Sequence, residues 1–200
     1  MIPERQIRAN QTEKTVRVYQ AFRRDIAGAA LAAGTFVSPF RMGRMTWIKP
    51  SFLWMMYRSG WGTKPDQEAV LAIDLKKCGF EWALANACLS SFHPDVEASN
   101  AAWKARLDAT PVRVQWDPEK TIHLTPLPYR SIQIGLTGIA VEHYVQDWIV
   151  GISSCDALIA AITSELKAGR EAAAKALLPD EQPYLLPQAI ARGIGIGITG

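Results

Sequence analysis

Residues 69–76, AVLAIDLK, form an almost continuous apolar run that follows a turn-rich segment. A short run of this kind, rich in Val, Ile and Leu, predicts a central strand of a sheet. The chain must therefore contain a sheet, and its other strands have to be found elsewhere in the sequence.

Strand and helix patterns interleave along the rest of the chain. Residues 15–21 (TVRVYQA) alternate and are rich in β-branched side chains, which predicts a strand. Further strands are predicted at 45–49, 112–116 and 131–136, with a hairpin return at 121–124. Helices, mostly bounded by capping residues, Gly or Pro, are predicted at 26–33, 52–59, 80–88, 95–107, 138–150 and 153–168, before a last alanine-rich helix. The connections are too varied for a doubly wound fold, so we predict α+β architecture with a central mixed or antiparallel sheet and flanking helices.

The predicted single domain covers residues 1–187, and residues 188–200 are predicted to be a poorly ordered tail. The end of this tail spells GxGxxG, with Gly195, Gly197 and Gly200. In dinucleotide-binding proteins a helix follows this motif and points its N-terminus at the pyrophosphate. No helix can follow Gly200 in this sequence, so we expect no dinucleotide site there.

Composition favours a globular protein, because 48% of the 200 residues are apolar and 20% are charged. No apolar run reaches the roughly 18–20 residues of a membrane span, and the polar N-terminus lacks the apolar core of a signal peptide. The three cysteines form no CxxC and are interpreted as buried thiols of a reducing compartment. We therefore expect a cytoplasmic protein without a membrane partner, and no metal site, since neither the cysteines nor the histidines have zinc-ligand spacing.

Positive charge is concentrated in the first sixty residues. The net charge is only +3, but few acids accompany the cations Arg5, Arg8, Arg17, Arg23, Arg24, Arg41, Arg44, Lys49 and Arg58. Aromatic side chains interleave with the later cations at Trp47, Trp54, Tyr57 and Trp61. Cations beside aromatic rings suit phosphates and bases, so an anionic ligand such as a nucleotide is predicted.

Common catalytic motifs do not occur: the sequence has no GxSxG, no HExxH and no GxxxxGK[ST]. The candidate site is instead rich in Arg, Lys, Tyr and Gln. Such side chains stabilise anions and position groups better than they transfer protons.

Several segments carry a family resemblance, namely RQIRA at 5–9, VYQAF at 18–22, RMTWIKPSFLWMMYRSGW at 44–61, VRVQWDPE at 112–119 and LPYRSIQIGL at 127–136. Across about residues 1–187 the chain resembles the domain-of-unknown-function family 4291 (DUF4291). This resemblance implies a family and no mechanism.

The order of elements in about the first 90 residues also resembles the ADP-ribosyltransferase superfamily, which includes the RNA 2′-phosphotransferases. A strand (VYQA), a helix ending in Gly, a loop reaching Arg44, a second strand (MTWIK) and a helix beginning with Ser51 follow one another in that superfamily's order. Two features depart from the superfamily. Where the superfamily has a His or Arg on its first strand, this chain has Tyr19 or Gln20. The superfamily's protein-modifying members usually carry a glutamate on a late strand, and the corresponding residues 129–133 include none.

The resemblance implies NAD, or a phosphorylated or ADP-ribosylated nucleic acid, as the ligand, and a transferase as the activity. Catalytic roles then fall to Tyr19, Arg44, Arg130 and Gln133. Cofactor-binding roles fall to Arg8, Gln20, Trp47, Lys49 and Ser51, with the cations on phosphates and Tyr19 or Trp47 against the nicotinamide.

Two alternatives from other functional classes remain open at this point. A non-catalytic RNA- or DNA-binding module would explain the Arg and Trp content, although no RRM, KH or OB signature is present. A structural or partner-binding protein would use the tryptophans as core and the arginines in internal ion pairs. The alternatives differ in whether Tyr19, Arg44, Lys49 and Arg130 point into one site.

Overall fold

The structure is a computed structural model that describes residues 2–197. The predicted central strand is β4 (Ala69–Lys76), and it lies between β2 (Thr15–Phe22) and β8 (Ile149–Ser154), antiparallel to both. Its Leu71, Ile73 and Leu75 side chains join the main core, while Val70 and Ala72 join a second core on the other face. The continuous apolar run thus reflects a strand that is buried on both faces.

A four-stranded sheet has the order β3 (Thr46–Ile48), β7 (Pro126–Leu136), β6 (Val112–Lys120) and β5 (Ala87–Leu89). The β5–β6 pair is parallel and the other pairs are antiparallel. Inward residues of this sheet, such as Val114 and Ile134, share the main core with Val18 and Ile73 of the first sheet. The two sheets therefore pack against one common apolar core.

The two sheets meet where β2 passes the end of β3. The Tyr19 N–H donates to the Lys49 carbonyl at 2.7 Å, and the Lys49 N–H donates back to the Tyr19 carbonyl at 3.2 Å. A smaller sheet pairs β1 (Arg8–Ala9) with β9 (Gln182–Pro183) and ties the two ends of the chain together.

Eight α-helices among residues 2–197 flank the sheets: α1 (Arg24–Ala33), α2 (Phe52–Ser59), α3 (Lys77–Ala85), α4 (Asn100–Ala109), α5 (Ile139–His143), α6 (Asp156–Lys167), α7 (Glu171–Ala176) and α8 (Gln188–Gly193). Helix α2 begins as predicted at Ser51, whose Oγ accepts the Trp54 N–H at 3.1 Å, and it ends at Gly60 in the left-handed conformation. The architecture is α+β, as the interleaved patterns predicted. None of the helices in residues 2–197 is long and apolar enough to cross a membrane.

The structure corrects three predicted elements. The helix predicted at 80–88 is α3 followed by strand β5, and the helix predicted at 138–150 is α5, a π-helical turn (Tyr144–Trp148) and the start of β8. The hairpin return predicted at 121–124 is the turn itself, and β7 begins only at Pro126. In the two mispredicted helices, a strand edge elsewhere in the chain satisfies backbone groups that the local pattern assigned to a helix: β6 pairs with β5, and β4 pairs with β8.

The segment predicted to be a poorly ordered tail contains α8. Beyond this helix the Ile194 side chain is buried, and its carbonyl accepts the indole N–H of Trp116 at 2.8 Å. Residues 198–200, including the last glycine of the GxGxxG string, lie outside the described residues.

Candidate functional site: a cationic cleft at the sheet junction

A cleft of about 780 Å³ opens where β2 meets β3. Its floor comes from β2, β3, β6 and β7, and its walls come from the start of α1, the loop before β3, the end of α2 and the loop after α2. The charged and amide side chains that line it, together with one tryptophan, include Gln20, Arg23, Arg41, Arg44, Trp47, Lys49, Arg58, Asp66, Gln115 and Gln133.

Gln20 is a buried amide whose orientation is fixed by three hydrogen bonds. Its Nε2 donates to the Thr46 Oγ1 at 2.6 Å and to the Trp47 carbonyl at 3.1 Å, and its Oε1 accepts the Tyr144 hydroxyl at 2.7 Å. The first sheet and the second are therefore held together by side chains at the cleft as well as by the Tyr19–Lys49 backbone pair.

A carboxylate is held between two glutamines beside the floor. Gln115 on β6 and Gln133 on β7 lie opposite each other in the sheet, and Asp117 follows two positions after Gln115 on the same face. The Gln115 amide donates to the Asp117 Oδ1 at 2.9 Å, and the Gln133 amide donates to the Oδ2 at 2.7 Å. Both glutamines thus bind Asp117 through their amide nitrogens, and both line the cleft.

Lys49 is a buried amine in the floor, with only 6% of its surface exposed. Its Nζ donates to the Trp47 carbonyl at 3.3 Å and lies 5.3 Å from the centre of the Trp54 ring. Within residues 2–197 it has no salt bridge. Burial, reinforced by the positive charge of Arg58 and opposed by Asp117, lowers the pKa of Lys49 to about 7.

The walls carry positive charge that the protein itself does not neutralise. Arg41, Arg44 and Arg58 are exposed, and within residues 2–197 their guanidinium groups have no ion pair. Arg23 binds Asp25 with its Nη2 at 2.7 Å from Oδ2, and Asp66 is the one acid among the described residues that line the cleft. The cleft therefore has a surplus of cations available to an anionic ligand.

The loop that carries Arg41 and Arg44 is anchored by aromatic packing. The Phe40 ring lies 4.6 Å from Phe36 and 6.0 Å from Phe22, measured between ring centres. Phe36 is buried in the main core. This anchor places the two arginines at the rim of the cleft.

The structure brings five of the nine predicted site residues into the cleft: Gln20, Arg44, Trp47, Lys49 and Gln133. Tyr19 lies on the opposite face of β2 from Gln20, because neighbours in a strand alternate. Its ring packs 5.4 Å from Phe52 in the second core, and its hydroxyl has no hydrogen-bond partner within residues 2–197. Arg130 lies outside the cleft, where its Nε donates to the Glu4 Oε1 at 3.0 Å.

Arg8 and Ser51, predicted to bind the cofactor, line a second cavity of about 580 Å³ on the other side of α2. The Ser51 hydroxyl donates to the Glu119 Oε1 at 2.9 Å, and the Phe52 N–H donates to the Glu181 Oε1 at 2.7 Å. Burial, with a smaller contribution from the charge of Glu119, raises the pKa of Glu181 to about 8, against the lowering effect of the Phe52 hydrogen bond.

Five of the cleft residues named above were not among the predicted site residues, namely Arg23, Arg41, Arg58, Asp66 and Gln115, and neither was Asp117 beside the floor. Arg23 and Arg58 belong to the cationic stretch, and nothing in the sequence beyond their charge indicated that they line a site. For Gln115 and Asp117 the strand alternation on β6 placed both on one face, but which face met the cleft depended on the pairing with β7.

No curated protein matched the chain significantly. The model of one protein family, described as a domain of unknown function (DUF4291), matches residues 6–184, which include every cleft residue named above. The chain therefore belongs to the DUF4291 family.

Proposed function

We propose that the chain is an ADP-ribosyltransferase-like enzyme that binds NAD, or a phosphorylated or ADP-ribosylated nucleic acid, in the cationic cleft. The observation that supports this most is a set of three arginines, without an ion pair within residues 2–197, around a floor of amides and an aromatic ring, with the Asp117 carboxylate beside that floor. A nucleotide needs all of these: cations for phosphates, and amides and a ring for a base or nicotinamide.

The phosphates are assigned to Arg41, Arg44 and Arg58. Guanidinium groups form paired hydrogen bonds with phosphate oxygens, and these three are exposed at the rim. The volume of about 780 Å³ falls within the range of small-molecule and cofactor sites.

The base or nicotinamide is assigned to the floor. The partly buried Trp47 ring offers a face for stacking, and the Gln115 and Gln133 amides offer directional hydrogen bonds. In a transferase of this kind, breaking the bond between ribose and nicotinamide develops positive charge at the ribose C1. The Asp117 carboxylate, held by both glutamines, has the right sign to stabilise that charge.

The test is the melting temperature of the purified protein against NAD, ADP-ribose, nicotinamide and a 2′-phosphorylated RNA oligonucleotide. A ligand that binds only the native state raises the melting temperature by mass action. We expect a shift with at least one phosphate-bearing ligand, lost in Arg44→Ala and kept in Arg24→Ala. Arg24 is the matched control because it is exposed near the cleft but does not line it. No shift at millimolar ligand would reject the proposal.

The exposed arginines also suit a non-catalytic RNA- or DNA-binding module, which uses cations along a backbone and aromatic rings under bases. Such a module predicts binding of the oligonucleotide that weakens steeply with salt and no response to NAD or ADP-ribose. A response to the small nucleotides would favour the enzyme over the module.

A further inference from the structure

Lys49 has a setting that phosphate binding does not explain. Its amine lies in the floor rather than at the rim with the arginines, is almost fully buried, and has one long hydrogen bond to the Trp47 carbonyl. The indole of Trp54 lies on one side of it, and the cation of Arg58 acts on it from α2. A lysine held in this way is suited to react as a neutral amine.

We propose that Lys49 is an imine-forming lysine that condenses with the aldehyde form of a sugar entering the cleft, such as C1 of free ADP-ribose. The identity of that sugar rests on the proposed function. The reactivity of the amine rests on the surroundings of Lys49 and does not depend on which sugar enters.

The step balances without an oxidant or a reductant. The nitrogen lone pair of Lys49 adds to the aldehyde carbon as the carbon–oxygen π bond breaks, and the proton that the nitrogen loses is balanced by the proton that the oxygen gains, which gives a carbinolamine. Loss of that oxygen as one water molecule leaves a carbon–nitrogen double bond between Lys49 and C1. Addition of water reverses the step and releases the sugar.

The charges around Lys49 fit this chemistry. Arg58 from α2 disfavours the protonated amine, while Asp117 from β6 favours it and would stabilise the protonated imine once formed. Arg23, Arg41, Arg44 and Asp66 face the same cleft from its walls. A pKa of about 7 leaves a large fraction of the Lys49 amine neutral at neutral pH, where an ordinary lysine is almost fully protonated.

The experiment traps the imine by reduction. The wild-type protein is incubated with propanal, which has no phosphate or base, or with ADP-ribose, in the presence of cyanoborohydride. Mass spectrometry then measures the adduct at each lysine. The internal control is Lys120, which is equally buried and also lies against an aromatic ring, with its Nζ 3.9 Å from the centre of Tyr57, but lines the second cavity.

We expect propanal to label Lys49 at neutral pH at least roughly tenfold faster than Lys120 or any exposed lysine. ADP-ribose is expected to label Lys49 at concentrations where unphosphorylated ribose does not. Because labelling is compared within the wild-type chain, the result does not depend on whether a Lys49 variant folds.

A second measurement follows the pH dependence of labelling. Replacing Asp117 with Asn removes the charge that favours the protonated amine, so its labelling midpoint should move to lower pH. Replacing Arg58 with Gln should move the midpoint to higher pH. Opposite movements support the assignment, and no movement in either variant contradicts it.

Two outcomes separate this inference from the proposed function. If ADP-ribose raises the melting temperature but neither aldehyde labels Lys49 faster than Lys120, the imine is overturned and nucleotide binding stands. If propanal labels Lys49 selectively but no nucleotide shifts the melting temperature, the imine-forming lysine stands and the nucleotide assignment fails.

Discussion

The two cavities on either side of α2 differ in charge balance: among the described residues that line them, cations outnumber acids in the cleft, whereas the second cavity has three of each, Arg8, Lys120 and Lys175 against Glu119, Glu171 and Glu181. The cleft at the sheet junction holds the buried amine of Lys49 under a rim of arginines, whereas the second cavity holds the buried Glu119 and the partly buried Glu181. Burial moves both key groups toward their neutral forms, lowering the pKa of Lys49 to about 7 and raising that of Glu181 to about 8.

The difference lies in what each charged group contacts. Glu181 accepts the first free N–H of α2, and Glu119 accepts the hydroxyl of the residue that caps the same helix. Both carboxyls are therefore engaged at the N-terminus of α2. In the cleft, Arg41, Arg44 and Arg58 have no ion pair within residues 2–197, so their charge is available to a ligand.

The largest effect should come from removing two rim arginines together. Arg44→Ala with Arg58→Ala should weaken binding of a phosphate-bearing ligand on the order of a thousandfold, because two charge-assisted hydrogen-bonding groups contribute about 4 kcal/mol. The measurement is titration calorimetry with the ligand found by melting temperature. Arg8→Ala in the second cavity is the control and should leave the affinity unchanged. If Arg8→Ala weakened binding as much as the double variant does, the ligand could not be assigned to the cleft.

Glu181→Gln should stabilise the protein by about 3 kcal/mol at about pH 9 and have little effect at about pH 4. The folded protein binds the Glu181 proton up to a pH of about 8, whereas the unfolded chain releases it near its ordinary pKa. Wild-type stability therefore falls as the pH rises from the ordinary glutamate pKa to about 8. Glutamine still accepts the Phe52 N–H but cannot ionise, so the variant should lack this pH dependence. Denaturant unfolding at several pH values measures the slope, with the exposed Glu13→Gln as control.

Lys49→Met should show the opposite pH dependence with a smaller gain, about 2 kcal/mol at about pH 6, because the variant also loses the contact of the cation with Trp54. The folded protein releases the Lys49 proton near pH 7, while the unfolded chain keeps it to a much higher pH. Wild-type stability therefore rises with pH above about 7, and the advantage of the variant should shrink toward about pH 10. An equal gain for the exposed Lys104→Met would attribute the effect to general charge rather than to burial.

The smallest effect concerns Ser51, which caps α2 and also lines the second cavity. Ser51→Ala should cost about 2 kcal/mol, and Ser99→Ala, which removes the equivalent cap of α4 at an exposed site, about 1 kcal/mol. The difference measures the bond from Ser51 to Glu119. Equal costs would mean that the second cavity does not reinforce the helix.

Much of the fold was predictable from local pattern. Strands β2, β4, β6 and β7 showed alternation or continuous apolar character, and α2 had a cap at each end. Local pattern missed the two-residue strands β1 and β9, and it also missed β5 and β8, which are short and lie next to helical stretches. The last two illustrate why. They are strands because β6 and β4 offer them edges, a partner that no window of the sequence contains.

For the site, the sequence by itself determined the ingredients: cations and tryptophans concentrated between residues 40 and 60, and glutamines on strands. Only the tertiary structure decided which of them share a cavity. It separated Gln20 from Tyr19, placed Arg8 and Ser51 on the other side of α2, and brought Lys49 and Gln133 to one cleft. The physical reason is that a side chain's face follows from its strand's register, and register is set by pairing between segments far apart in the chain.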